Sequence, residues 1–125
     1  MPRYAKKTDS NQKEIIEWLE VYGCQVDRLH QGDNLPDLLV CYDEWVLIEV
    51  KPTLTDSIQR NQIQWLANAG GYAGVVVNKD EALLLAQNPG MHALTLQQRE
   101  NLTQWLIRNP KQTKLSVNQF REVIK

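Results

Sequence analysis

The sequence predicts an α/β fold, α+β by a stricter definition, with one mixed sheet carrying helices on both faces. Three observations predict it. Residues 37–41 (DLLVC) and 45–50 (WVLIEV) are dense apolar runs separated only by Tyr42, Asp43 and Glu44, which reads as a hairpin. Both faces of both runs are apolar, the mark of strands covered on each side. A strand, a helix and a second strand then follow in succession over 45–77, and that order calls for a parallel or mixed pairing.

Taken in order, the elements have local reasons. Over 11–22, Ile15, Trp18, Leu19 and Tyr22 recur at helical spacing, and Gly23 stops the helix. Residues 24–30 (CQVDRLH) make a first, weakly alternating strand, and the loop QGDNLP follows. After the hairpin, Thr55, Asp56 and Ser57 offer N-caps for a helix running to about Ala69, where Gly70 and Gly71 end it. Residues 72–77 (YAGVVV) form the next strand. Asn78 and Glu81 are spaced as a capping box opening a helix that the NPG of 88–90 breaks. Two tail helices follow, opened by the pairs Thr95/Gln98 and Ser116/Gln119; the first carries Leu102, Trp105 and Leu106, the second Val117, Phe120 and Ile124. The predicted order is α-β-β-β-α-β-α plus two helices, a core over about 10–87 and a helical extension over about 94–125 of one domain. Two packings are open to the extension: a dimer contact through Leu102, Leu106 and Phe120, or closure over the core of a monomer.

Composition narrows the class. The chain has 125 residues, 42% hydrophobic and 23% charged, enough for one core and ordinary for a folded domain. No apolar run approaches the ~20 residues of a membrane span. The first residues, MPRYAKKTDSNQ, lack the apolar stretch of a secretory signal, so a cytoplasmic location, in a bacterial cell or host, is expected. Cys24 and Cys41 match no metal spacing and read as packed thiols. Net charge is −1, yet residues 95–125 hold six Lys and Arg against two acids, leaving −5 for the remainder. A basic C-terminal third suits phosphate contact; a solvated face explains it equally well.

Charges within the central strands need a reason, because burying them is costly. Glu49 and Lys51 are two apart and share a strand face. Whether Asp37 joins them depends on the turn. A two-residue turn pairs Asp37 with Val50 and turns it away; a three-residue turn, Tyr42 to Glu44, pairs Cys41 with Trp45 and Asp37 with Glu49. We predict the three-residue turn, or a bulge with the same effect. Two carboxylates so close repel unless a cation lies between them. Mg²⁺, which accepts one or two carboxylates with waters and substrate phosphates, fits that need, with Mn²⁺ as a substitute. Such an ion polarises a phosphoryl oxygen and activates water, and a neighbouring lysine steadies charge building on phosphorus. The plain alternative is a salt-bridged trio at a sheet edge. A lone E-x-K arises often by chance; a Pro-Asp twelve residues earlier, with both inside apolar runs, is far more specific.

Pro36-Asp37 with Glu49-Val50-Lys51, in the order α-β-β-β-α-β, resembles the PD-(D/E)xK nuclease superfamily. More closely, NQKEIIEWLEVYGCQV, PDLLV, LIEVK, QIQWL and GYAGVVVNKDEAL, spanning about Asn11 to Leu85, look like the small stand-alone nucleases of phages and bacteria near the VRR-NUC family and the archaeal Holliday-junction resolvases. The resemblance implies a restriction-endonuclease-like αβββαβ core. It also implies a metal held by Asp37, Glu49 and the main-chain carbonyl of Val50, with Glu14 of the first helix supporting the metal or its water. Lys51 then positions the attacking water, and Gln62, on the helix after the lysine strand, orients Lys51 or the phosphate. Glu14 also has a plain reading, as the partner of Asn11 in a capping box, and Gln62 as a core amide bonded to backbone. The loop HQGDNLP departs from the glycine- or serine-rich segment usual before Pro-Asp and brings Asp33 near the site.

Phosphate-contact candidates are Arg28, Lys79, Arg99, Arg108, Lys111 and Lys114. His30 is read as a surface residue, and Trp45, Trp65 and Trp105 as core or interface. The expected function is Mg²⁺-dependent endonuclease action on DNA, structure-specific in the manner of enzymes of recombination, repair or phage replication. Relatives that cut branched DNA act as symmetric dimers, so a homodimer is a further expectation; no membrane and no nucleotide cofactor is expected. The runner-up is a catalytically inactive nuclease-fold factor that binds nucleic acid or protein.

Overall fold

The helical stripe of Ile15, Leu19 and their neighbours lies on α1 (Pro2–Val21). The helix is already running well before Asn11, so Asn11 is interior and cannot be an N-cap. In the computed structural model, residues 2–29 and 35–125 are described, those before Asn11 as backbone only. His30 and Asp33 therefore lie outside the described residues. Gly23, at φ 90°, ends α1. Its N–H reaches Glu20 O and the N–H of Cys24 reaches Leu19 O, both at 3.0 Å, closing the last carbonyls in a Schellman motif.

Four strands form the main sheet: β1 (Gln25–Arg28), β2 (Leu38–Cys41), β3 (Trp45–Val50) and β5 (Ala73–Val76), in the order β1-β2-β3-β5. The first two pairings are antiparallel and β3–β5 is parallel. The sheet is thus mixed, as the strand-helix-strand succession requires. Cys41 pairs with Trp45. The three-residue turn is the one formed, and it fixes which side of the sheet every hairpin side chain faces.

One face packs on α1 and α3 (Lys79–Gln87): Ile15, Leu19, Ala82 and Leu85 meet Leu38, Val40, Val46, Ile48 and Val76. The other face packs on α2 (Arg60–Asn68), α5 (Leu96–Arg108) and α6 (Val117–Val123). There Ile63, Leu66, Leu102 and Phe120 are buried against partly covered Leu47 and Val75. The tail helices are therefore part of the second core. Leu102 and Phe120 are enclosed within the chain, which settles the choice between closure and a dimer contact for these two side chains in favour of closure. The short α4 (Pro89–His92) follows the predicted NPG break. The capping boxes at Thr95/Gln98 and Ser116/Gln119 form as spaced. Asn78 accepts from the N–H of Glu81, but the Glu81 carboxylate turns back to Val77 N–H and to Arg121 rather than to Asn78.

One expectation fails here. No helix begins at Thr55–Ser57. That segment instead leads into β4 (Ser57–Gln59), which pairs antiparallel with β6 (Lys114–Ser116) in a separate ribbon. The physical reason is non-local: Ile58 and Leu115 face each other and are both buried. Asp56, offered as a cap, accepts from the N–H and hydroxyl of Thr53 within its own loop. Helix α2 starts two to four residues later than expected, capped by Gln59. Its guanidinium at Arg60 reaches across to the end of α5, bonding the carbonyls of Leu106, Asn109 and Gln112 at 2.9, 2.6 and 2.8 Å. No helix among the described residues is long and apolar enough to cross a membrane.

Candidate active site

Register alone brings the charged side chains together. With Leu38 opposite Ile48, the ladder places Asp37 opposite Glu49, at the carboxyl end of β3. Asp37 Oδ2 accepts the N–H of Val50 at 2.8 Å, which ties the start of β2 to the end of β3. Glu49 faces the α2 side of the sheet, as does Leu47. Its Oε2 lies 3.3 Å from Lys51 Nζ and accepts from Gln62 Nε2 at 2.9 Å. The Oε1 of Gln62 accepts in turn from Lys51 Nζ at 3.3 Å. Asp37, Glu49, Lys51 and Gln62 therefore form one cluster.

Gln62 is held from behind as well. It is the third residue of α2, and its Oε1 also accepts the N–H of Gln59 at 3.0 Å, as the return arm of the capping box. Both readings of this amide hold at once: it satisfies backbone, and it grips the lysine and the glutamate. The interruption of an apolar stripe (Ile58, Trp65, Leu66) was the sequence signal for it.

Electrostatics single out Glu49. Asp37 and Glu49 are only 6% and 4% exposed. Burial is the largest influence on the Glu49 carboxyl, and the nearby Asp37 adds to it; Lys51 and Gln62 pull the other way. The balance pushes it up to about 7 from the usual 4.5.

No family model, no curated protein and no solved structure matches this chain. The site must be read from its own residues.

The first helix meets the strand end through a residue the motif did not single out. Glu14 is exposed on α1, one helical turn from Asn11. Asn11 is the residue of this helix that meets the strand end, its Nδ2 donating to Lys51 O at 3.4 Å. Gln12 beside it is 5% exposed, a buried polar side chain one helical turn before Ile15. Polar residues continuing an apolar stripe were the available sign of both. Among the described residues no group of three or more His, Cys, Asp and Glu side chains converges as a ready metal cage; the acidic donors at hand are Asp37 and Glu49.

The basic candidates scatter. Arg99 bonds the carbonyls of Ala69 and Gly71, bracing the end of α2, so its guanidinium is engaged in the fold. Lys79 Nζ stands 4.2 Å from the centre of the Trp18 ring. Arg28 is exposed and already has an interaction partner. Arg108, Lys111 and Lys114 are exposed. Of the tryptophans, Trp45 is 47% exposed, while Trp65 and Trp105 pack against the second core.

Proposed function

We propose that this chain is a Mg²⁺-dependent endonuclease hydrolysing phosphodiester bonds of DNA, built on a restriction-endonuclease-like αβββαβ core. One observation carries the reading: the hairpin register puts Asp37 opposite Glu49, with Lys51 and Gln62 bonded to the Glu49 carboxylate. A divalent cation suits the donor set. Two adjacent carboxylates and the main-chain carbonyl of Val50 are hard oxygen ligands of the kind Mg²⁺ takes, and Asp37 and Glu49 are both buried.

Asp37 and Glu49 hold the ion, whose chemistry when bound is charge stabilisation at the phosphate and a lowered pKa for water. Lys51 keeps its ammonium beside Glu49, where it holds the attacking water and steadies negative charge on phosphorus. Gln62 is a positioning residue: it fixes Lys51 through Oε1 and Glu49 through Nε2. Glu14, one turn along α1 from Asn11, would support the metal or its water, while Asn11 braces the Lys51 main chain. For branched DNA a symmetric pair of chains supplies two matched cuts, through surfaces other than the enclosed Leu102 and Phe120.

A second reading has its own support. Without metal, Lys51 and Gln62 already close on Glu49, an arrangement equally suited to an inactive binding factor with the same fold. Purified protein incubated with forked or four-way DNA in Mg²⁺ or Mn²⁺ separates the two. Cleavage that a chelator stops, and that Lys51→Ala and Asp37→Asn abolish without loss of fold, is the expected result. Wild type as inert as both variants on every DNA tested sinks the enzyme reading.

A further inference from the structure

The β4–β6 ribbon is unabsorbed by the chemistry above, yet it is fastened to it. Gln59 closes β4, caps α2 and donates its N–H to Gln62, which touches both Lys51 and Glu49. Across the ribbon, Lys114 is the register partner of Gln59, and Ser116 that of Ser57. A cleft opens beside this ribbon, lined by Ser57, Lys111, Thr113 and Lys114 among others. No carboxylate lines it among the described residues. Asp56, next to Ser57, has its carboxylate turned into the 53–56 loop by Thr53. Lys111 and Lys114 are exposed and have no ion pair or hydrogen bond from their ammonium groups among the described residues. Glu122, an acid of the same C-terminal segment, is paired with Lys125 instead.

We infer that this cleft is a docking site for the sugar-phosphate backbone of the DNA strand next to the scissile bond, with Lys111 and Lys114 meeting its phosphates. The inference rests on the nuclease reading for what the strand is doing there, but not for the binding itself. Ammonium and hydroxyl donors without a competing carboxylate match phosphate oxygens, which only accept. Lys114, which lines the cleft, is also the register partner of Gln59, the residue that caps the helix carrying Gln62. Neither lysine is bonded to the Glu49–Lys51–Gln62 cluster, and both act on binding. This gives the basic C-terminal third a place in the fold rather than a diffuse charge.

The test measures binding in a background that cannot cut. Glu49→Gln protein is titrated against a fluorescein-labelled forked DNA, carrying duplex and single-stranded arms, by anisotropy over a range of NaCl concentrations. Adding Lys111→Gln and Lys114→Gln is expected to weaken binding several-fold at low salt. It should also flatten the slope of log K against log salt by about 1.4–1.8, since each lost phosphate contact removes roughly 0.7–0.9. Lys125→Gln, which removes a lysine paired with Glu122, serves as the control and leaves the slope unchanged. Circular dichroism establishes that the double variant is folded. The same affinity and slope with and without the two lysines overturns the docking site, as does a background protein that binds no forked DNA. If the wild type cuts nothing while the lysine pair still controls the slope, the nuclease reading fails and the docking site stands.

Discussion

Glu49 is the residue on which charge, fold and chemistry converge. Its carboxyl sits at about 7 because burial and Asp37 outweigh Lys51 and Gln62. The unfolded chain ionises this group near 4.5, so between these values the native state holds a proton that the unfolded state has released. Its contribution therefore favours the fold at low pH and is lost as pH rises through 7, a cost on the order of 3 kcal/mol by the usual conversion. Urea unfolding of the metal-free protein should show a fall in stability between pH 5 and pH 8 that is absent in Glu49→Gln. Millimolar Mg²⁺ should restore wild type at pH 8 and leave the variant where it was, because only an ionised carboxylate rewards the ion. An identical pH profile in both proteins contradicts the burial argument. The cluster was largely legible in the sequence because a period of 2 and one turn length decide it. What the motif spacing did not carry was Asn11, a polar residue of the first helix whose contact with Lys51 O depends on how the helix packs on the sheet.

At the scale of elements, the predicted features that hold are those with local causes. The Gly23 stop, the caps at Asn78, Thr95 and Ser116, and the hairpin each depend on residues within one turn. The β4–β6 ribbon does not. SIQ and KLS are too short for any alternation to register, and they become strands only because each finds the other across the chain. Arg60 is likewise silent in sequence, an arginine in a polar stretch. In space its guanidinium gathers the carbonyls of Leu106, Asn109 and Gln112 and stands 5.7 Å from the centre of the Trp105 ring. A cation on the carbonyl end of a helix is favoured by both the dipole and the orphan acceptors. Arg60→Met should cost about 2 kcal/mol in denaturant unfolding. Arg60→Lys should recover only part of it, since a single ammonium cannot reproduce the planar fork. Full recovery by lysine would refute the bidentate geometry as the source.

Over the whole molecule, the sheet divides two apolar cores. The first lies between the sheet and α1 and α3; the second is completed by the C-terminal segment, which supplies Leu102, Leu115, Val117 and Phe120. Phe120 is 2% exposed and central to the second. Phe120→Ala should destabilise the entire fold by about 3–5 kcal/mol in a single transition seen alike by far-UV and tryptophan signals. Two separate transitions would mean that the extension is an appendage. Composition could not reveal this closure: apolar stripes on tail helices look the same whether they meet a sister chain or their own sheet. The ribbon carries one last implication, for the order in which the protein comes into being. All four residues of the cluster have been joined to the chain once Gln62 is added, but β4 has no partner until Ser116 follows. At typical bacterial elongation speeds of roughly 5–20 residues per second, several seconds separate the two events. A nascent chain thus holds the cluster residues before the ribbon that carries the Gln59 cap of α2 can close.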